Sequence, residues 1–253
     1  IFNPKIDHLE EGYKKALPKL LKAAELTNTL FLMQDHPQSV ELRKKLVEES
    51  KESEIAKLGL EVFEIFNGPE GKTYENETVP LFKGVNARPK GGTLFSEDLT
   101  AEEIESFLRK NPAKREEFEK INTMIFREGG ELVAVPYEEK YKEVLAQIAI
   151  LVGGASEDIP DKEFKKYLES RADALLSGEY FDSDIDWVKS TEAPIDFIIG
   201  PLEDYGDRIL GKKSFYAALL SIKNLEESER VNEFLKYLQD LEDMLPQARE
   251  RAK

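Results

Sequence analysis

The chain has 253 residues, which is long enough to bury a substantial core as one large domain or two small ones. Its formal net charge of −15 argues against a nucleic-acid partner, because phosphate binding needs clustered lysine and arginine. The sequence contains no cysteine, which excludes disulfides and thiolate chemistry, and no stretch approaches the roughly 20 apolar residues of a membrane span.

The first third of the chain is predicted to be helical. Apolar residues recur at helical spacing over residues 9–34, where Pro18 should end the first turn or kink the helix. Ser39 is a favourable N-cap for a second helix, and a third should start at about Ser53. This third helix should stop at Asn67, which begins an Asn-Gly-Pro sequence typical of helix ends and turns.

Residues 67–97 lose this periodicity and are rich in glycine, proline and asparagine. A loop of this length inside a compact domain is usually functional or poorly ordered, so an ordered loop that lines a cleft and a solvated excursion are both open. The same segment is the best candidate for a boundary inside what we otherwise predict to be a single domain over residues 1–253.

The remaining sequence alternates helical patterns with short β segments. The first predicted elements are a helix that Thr100 and Glu103 begin as a capping box, a short helix from Asn111 and Pro112, and a β-hairpin of residues 123–126 and 132–135. They are followed by a helix over 137–152 that the following Gly-Gly should end, a helix from Pro160 toward Gly178, and an aromatic and acidic connector over 180–187. The last predicted elements are a strand over 195–199, a strand or helix over 214–222, and a final helix over 225–245 closed by Pro246. These elements predict an α+β fold that is mainly helical, with a small β-sheet or partial barrel.

An unusual polar pattern follows the strand predicted over residues 195–199. A Gly-Pro pair should end the strand, and Glu203, Tyr205 and Asp207 then follow at alternating positions. If the backbone stays extended there, all three side chains point to one face, which places two carboxylates and a phenol at the mouth of a strand. The alternative is that they are solvated residues beside a turn, since the 51 acidic residues of the chain can supply such a pattern by chance.

The same stretch resembles a known family. Residues 199–207, followed by 210–213, are similar to the Gly-Pro-Ile-Glu-Thr-Tyr-x-Asp-x-Leu-x-Gly-Tyr-Lys stretch of the dipeptidyl peptidase III family of zinc-dependent exopeptidases. Further segments resemble the family in the same order, namely residues 21–26 with 31–34, 66–69, 90–100 and 167–175. The resemblance covers most of the chain and implies one lobe of a two-lobed peptidase, in which residues 67–97 would line the cleft.

Zinc catalysis needs at least three protein ligands and an open position. The sequence contains only two histidines, His8 and His36, and neither lies in a His-Glu-x-x-His helix or in the family's His-Glu-x-x-x-Gly-His or His-Glu-x-x-Gly-His helix. The family's Glu-Glu-x-x-Ala-Asp zinc helix is also missing, and His36 is interpreted as a helix-end residue. We therefore expect no metal site or cofactor in this chain, with zinc held by the C-terminal half of the enzyme.

The resemblance implies a role for each candidate site residue. Glu203 would bind the free α-amino group of a peptide substrate, because a carboxylate pairs with an ammonium through charge-assisted hydrogen bonds. Tyr205 would be the catalytic residue, donating to the oxyanion that develops in the transition state. Asp207 is counted with Glu203 among the substrate-binding residues, although we expect it to orient its neighbours more than to touch the substrate.

Three functions remain open. The first is the substrate-binding half of a zinc-dependent dipeptidyl peptidase, inactive without a zinc-binding half in the same or a partner chain. The second is a free-standing, non-catalytic peptide-binding module, and the third is a helical scaffold whose acidic face serves only solubility. Because Ile1 is not an initiator methionine and no signal peptide is evident, we expect the sequence to start inside a longer gene product and the protein to be cytoplasmic.

Overall fold

The computed structural model describes residues 4–245, which form helices and three separate two-stranded antiparallel sheets. The helices are α1 (Glu11–Asp35), α2 (Ser39–Glu49), α3 (Glu54–Phe66), α4 (Ala101–Lys110), α5 (Arg115–Glu119, after a 3₁₀ turn at Pro112–Lys114), α6 (Tyr137–Lys140), α7 (Lys142–Ser156), α8 (Lys162–Ser177), α9 (Phe181–Lys189), α10 (Leu225–Leu235) and α11 (Leu238–Met244). The strands are β1 (Glu70–Lys72), β2 (Thr78–Pro80), β3 (Thr123–Glu128), β4 (Glu131–Pro136), β5 (Ile195–Glu203) and β6 (Phe215–Ile222). The mainly helical α+β class with a small β component is confirmed, and of its two predicted forms the described strands make small two-stranded sheets and no partial barrel.

The core lies between α1, α7, α8 and the β5–β6 pair. Helix α1 packs against both α7 and β6, while α8 packs against α7 and α9. Leu20 and Leu30 of α1, Ile148 of α7, Leu168 of α8 and Phe197 of β5 are fully buried. Burial of a side chain of this size contributes about 1.5–3 kcal/mol, so this cluster fixes α1 relative to the β5–β6 pair.

The helix predicted over residues 9–34 is confirmed as α1, which has 25 residues and continues through Pro18 without ending there. A proline in a helix interior removes one backbone hydrogen bond, because its nitrogen carries no hydrogen. Leu17 and Leu20, on either side of the proline, are both buried in the core. We infer that this burial compensates for the lost bond and keeps the helix continuous.

The predicted starts of α3 and α4 are confirmed. Ser53 and Thr100 cap these helices through their side-chain oxygens, each accepting a hydrogen bond from the backbone N–H three residues later, at 3.3 and 3.2 Å. Ser39 does not cap α2 as predicted, because Gln38 occupies the N-cap position. The Ser39 hydroxyl is buried and has no hydrogen-bond partner among the residues that the structure describes.

Two other boundaries differ from prediction because packing overrides a local signal. Helix α7 continues through Gly153 and Gly154 to Ser156, packed between α1 and α8. Lys19 of α1 donates to the Gly154 carbonyl at 2.6 Å, which helps to offset the low helix propensity of glycine. Most of the connector predicted over residues 180–187 instead belongs to α9, which packs along α8.

Residues 67–97 contain the β1–β2 hairpin and then a segment that is attached to the C-terminal end of α1. Arg88 donates to the Asp35 carboxylate at 2.5 Å, and the Thr93 N–H donates to the Gln34 carbonyl at 2.7 Å. These contacts hold the second half of the segment against the core, so it is packed rather than solvated.

The final predicted helix consists of two helices, α10 and α11, and no residue of either is buried. Phe234, Leu235 and Leu238 of the predicted apolar face are all more than half exposed. Pro246, predicted to close the helix, lies outside the described residues. Neither these helices nor any other within residues 4–245 is long and apolar enough to cross a membrane.

Candidate functional site

Strand β5 carries the candidate residues from the core to the surface. It pairs with β6 and continues through Gly200 and Pro201, where the sequence predicts an end. The register shifts between Pro201 and Glu203, and the strand ends at Glu203. Because the chain then turns at Tyr205, the extended backbone that would place three alternating side chains on one face is wrong beyond Glu203.

Glu203 and Tyr205 nevertheless line one surface pocket of about 250 Å³. Its other walls come from one face of α1, the residue that ends α3, and strand β6. The lining residues are Ala24, Asn28, Phe31, Asn67, Glu203, Tyr205, Tyr216, Ala217 and Ala218. Pockets that enclose a complete small ligand usually measure about 300–1,000 Å³, so this pocket suits one end of a longer ligand.

The two candidate side chains differ in exposure and interact with each other. Tyr205 is 76% exposed, whereas Glu203 is half-buried. Interaction of the phenol with the Glu203 carboxylate is the main cause that raises the pKa of Tyr205 above its ordinary value, and partial burial and the charge of Asp35 act in the same direction. Tyr205 therefore keeps its proton at neutral pH and can donate a hydrogen bond. None of the residues that line the pocket is a lysine or arginine that could neutralise Glu203.

Asp207 lies apart from this pocket. Its side chain is buried, and its two carboxylate oxygens accept hydrogen bonds from four backbone N–H groups, those of Ile209, Leu210, Lys212 and Lys213, at 2.9–3.0 Å. A carboxylate that accepts several backbone N–H groups fixes the loop that carries them. This geometry favours the expected orienting role, and direct contact with a substrate stays a prediction.

The loop that Asp207 organises is anchored by a buried lysine. Lys213 is fully buried, and its ammonium donates to the Phe118 and Lys120 carbonyls at 2.5 and 2.7 Å and to the Thr123 hydroxyl at 2.6 Å. Burial lowers the pKa of Lys213 from 10.5 to about 8, against the attraction of Asp207. Lys213 therefore connects the loop to α5 and β3.

The turn between Tyr205 and Asp207 is also held by contacts with Arg88 and Phe215. Arg88, itself paired with Asp35, donates to the Gly206 carbonyl at 3.0 Å. A Cβ on Gly206 would lie 2.5 Å from the Phe215 ring, so a larger residue here would force the buried ring or the turn to shift. The backbone on which Tyr205 is mounted is thus fixed by an ion pair and a close ring contact.

Among the pocket residues that sequence reasoning missed are two asparagines, Asn28 and Asn67. The sequence indicated Asn67 as a helix-end residue within the family-like segment 66–69 but not as a site residue, and it does end α3 in the left-handed conformation, with φ of 48°. Asn28 lies 39 residues earlier on α1, and their side chains are hydrogen-bonded to each other in both directions. No local pattern indicates this pairing, because the two asparagines are far apart in sequence and belong to different elements.

The described residues include no group of three or more histidine, aspartate or glutamate side chains placed to hold a metal ion. The ring of His36 makes two polar contacts at the end of α1. Its Nδ1 accepts a hydrogen bond from the Gln38 N–H, and its Nε2 contacts the Asn86 carbonyl, both at 3.0 Å. His8 lies exposed near the start of the chain. The residues present therefore do not fit a catalytic zinc.

Comparisons with known proteins agree with this fold. No protein-family model matches the chain. Dipeptidyl peptidase III from Caldithrix abyssi superposes with a TM-score of 0.85 and 33% identity, covering 95% of this chain and 45% of that one. Dipeptidyl-peptidase III from Corallococcus sp. strain EGB superposes with a TM-score of 0.84 and 28% identity, covering 96% and 45%. Nudix hydrolase 3 of Arabidopsis thaliana is 25% identical over an alignment of 289 positions, which covers 96% of this chain and 37% of that protein.

The fold and its neighbours define a peptidase-like lobe. The resemblance to dipeptidyl peptidase III in the sequence motifs is confirmed, and it extends over almost the whole chain. The chain spans less than half the length of the relatives that it matches, so its fold corresponds to one part of those proteins.

Proposed function

We propose that this chain is the substrate-binding lobe of a zinc-dependent dipeptidyl peptidase. Glu203 holds the free N-terminus of the peptide, and Tyr205 donates to the carbonyl oxygen that becomes negative during cleavage of the peptide bond. The observation that carries the proposal is that both side chains line one small open pocket in a fold similar to dipeptidyl peptidase III.

The pocket suits a peptide amine because its charge is uncompensated. Glu203 contributes a half-buried carboxylate, and no lysine or arginine lines the pocket beside it. A substrate ammonium would supply the positive charge that no lining lysine or arginine provides, and would form charge-assisted hydrogen bonds with the carboxylate. Because the pocket measures about 250 Å³, it has room for the first residue of a peptide and leaves the rest of the substrate outside.

Tyr205 suits an oxyanion because it is an exposed, protonated phenol that sits next to the amine-binding carboxylate. A donor placed where negative charge develops stabilises the transition state more than the neutral ground state. The buried loop below it, held by Asp207 and Arg88, keeps the backbone of the turn in place.

In this proposal the zinc is bound outside the part of the chain that the structure describes. The described residues do not provide a ligand set, so a zinc-binding half of the same or a partner chain has to complete the enzyme. The chain alone binds peptide ends but does not hydrolyse them. This division also separates the proposal from a free-standing binding module, which needs no second half.

Calorimetry or NMR titration of the chain with a short alanine peptide and its N-acetylated form tests the amine site. Removal of the amine charge, or Glu203→Gln, should weaken binding by about 1.5–3 kcal/mol, the usual scale of hydrogen bonds to charged groups. Asp204→Asn is a matched control, because Asp204 is an exposed neighbouring acid that does not line the pocket. Equal affinity for free and acetylated peptide would contradict the proposal.

A further inference from the structure

Two asparagine side chains form part of the pocket wall and are hydrogen-bonded to each other. The Asn28 Nδ2 donates to the Asn67 Oδ1 at 3.0 Å, and the Asn67 Nδ2 donates to the Asn28 Oδ1 at 2.8 Å. Asn28 lies on α1, and Asn67 ends α3, so the pair joins two elements that contribute to the same pocket.

The pair does not use all of its hydrogen-bonding capacity. Each amide has two N–H donors and an oxygen with two lone pairs, and the mutual bonds use one donor and one lone pair of each. Within residues 4–245 no further side-chain hydrogen bond of Asn28 or Asn67 is present, although both residues line the pocket. The wall beside Glu203 therefore offers free amide donors and acceptors.

We propose that the Asn28–Asn67 pair binds the first peptide group of the substrate, next to the amine held by Glu203. A peptide group has one N–H donor and one carbonyl acceptor, and an amide pair offers the matching acceptor and donor. The pair also holds its amides in place before the ligand arrives, which lowers the entropic cost of binding. This inference rests on the proposed function and specifies its substrate.

The substrate class follows from what the pocket contacts. The asparagine amides would bind the main chain of the ligand, which is the same in every peptide. Three of the other lining residues are the small Ala24, Ala217 and Ala218. The site therefore selects peptides with a free amine and an unmodified first peptide bond, with little discrimination among their side chains. Peptides with an N-methylated or ester first linkage are poor ligands.

The competing interpretation is that the pair only locks α1 to α3. A lock would change stability when it is removed, but it would not distinguish an amide ligand from an ester ligand. The decisive measurement is therefore a ratio of two affinities, for trialanine and for the depsipeptide in which an ester oxygen replaces the N–H of the first linkage. Both ligands keep the free amine, so Glu203 should contribute equally to the binding of both.

The parent chain should bind the amide ligand about 3–10-fold more tightly than the ester ligand, the scale of one neutral hydrogen bond. In Asn28→Ala and Asn67→Gly this ratio should fall to about one. Glycine adopts the left-handed backbone of Asn67 without strain, and alanine is a better helix former than asparagine, so both variants should fold. Asn76→Gly is the matched control, because Asn76 also has positive φ, of 65°, but does not line the pocket.

The outcomes separate this inference from the proposed function. An equal affinity of the parent for both ligands, or a ratio that persists in both variants, overturns the role of the asparagine pair. In either case a retained preference for free over acetylated peptide leaves the Glu203 site standing. Loss of the ratio in Asn76→Gly as well would show a general effect of substitution and would also overturn the inference.

Discussion

Two pairs of residues in the short segment 203–213 each combine a carboxylate with a second polar side chain, and they use the carboxylate in opposite ways. Glu203 and Tyr205 present their polar atoms to an open pocket. Asp207 and Lys213 are buried, and protein donors or acceptors surround their charged groups. A carboxylate therefore does not by itself separate a candidate binding residue from a structural one here, whereas the number of protein hydrogen-bond partners does.

The largest effect should come from the structural group. Asp207→Ala removes the acceptor of four backbone N–H groups inside the protein, and unpaired buried groups are expensive. We expect a loss of about 3–5 kcal/mol in the free energy of unfolding, measured by chemical denaturation.

Asp204→Ala is the matched control for this measurement, since Asp204 is exposed and lies three residues earlier. Its effect should stay within about 0.5 kcal/mol, as for most surface substitutions. If the two variants lose equal stability, the carboxylate of Asp207 does not organise the loop. Asp207→Asn, which keeps one acceptor oxygen, should fall between them and serves if the alanine variant does not fold.

The next effect should come from the pocket and should appear in catalysis rather than in stability. Tyr205→Phe, in the chain combined with a zinc-binding half of dipeptidyl peptidase III, should lower kcat roughly a hundredfold, with KM nearly unchanged. The reason is that the lost donor acts on charge that exists only in the transition state. Thermal unfolding should be unaltered, because the ring is largely exposed.

Tyr74→Phe controls for removal of a hydroxyl, since Tyr74 is fully exposed and does not line the pocket. A kcat for Tyr205→Phe within about threefold of the parent would be less than an oxyanion donor supplies. That result would show that Tyr205 lies near the reacting groups but does not stabilise the transition state.

Local signals predicted much of the fold. The β-hairpin at Gly129 and Gly130 is correct, because both glycines have the positive φ, of 58° and 90°, that the turn needs. The extent of β5 was not predictable in this way. Pro201 is tolerated in it at the point where the register shifts, and Gly200 lies against the buried Arg171, at 3.2 Å from a Cβ built there.

The candidate site was predicted in part. The motif pointed to Glu203 and Tyr205, which do line one pocket, but through a turn and not through the alternation of an extended strand. Asn28 could not be found, since its hydrogen-bond partner Asn67 and the candidate residues Glu203 and Tyr205 are distant in sequence. The exposed face of α10 and α11 shows the same limit, because periodicity predicts a helix without showing what covers it.

The smallest effect should be a dependence of stability on pH that Lys213 causes. Its side chain is fully buried beside Asp207, Glu119 and Lys212, and burial is the largest influence on its pKa, which falls from 10.5 to about 8. Below pH 8 both the folded and the unfolded chain keep the proton. Between about pH 8 and 10.5 only the unfolded chain keeps it, so the unfolding free energy should rise with pH.

The rise should be visible only over part of this range. The slope cannot exceed about 1.4 kcal/mol per pH unit for one proton. Near pH 10 the buried Tyr137 and Tyr216, whose pKa burial raises well above the ordinary value, begin to act in the opposite direction. Urea unfolding at about pH 7.5 and 9.5 should therefore show a gain of about 1–2 kcal/mol, and Lys213→Arg, which stays charged throughout, should abolish it. Lys212→Arg should leave the gain in unfolding free energy unchanged, because the pH dependence is assigned to the buried Lys213. A gain that persists in Lys213→Arg would assign the pH dependence to another group.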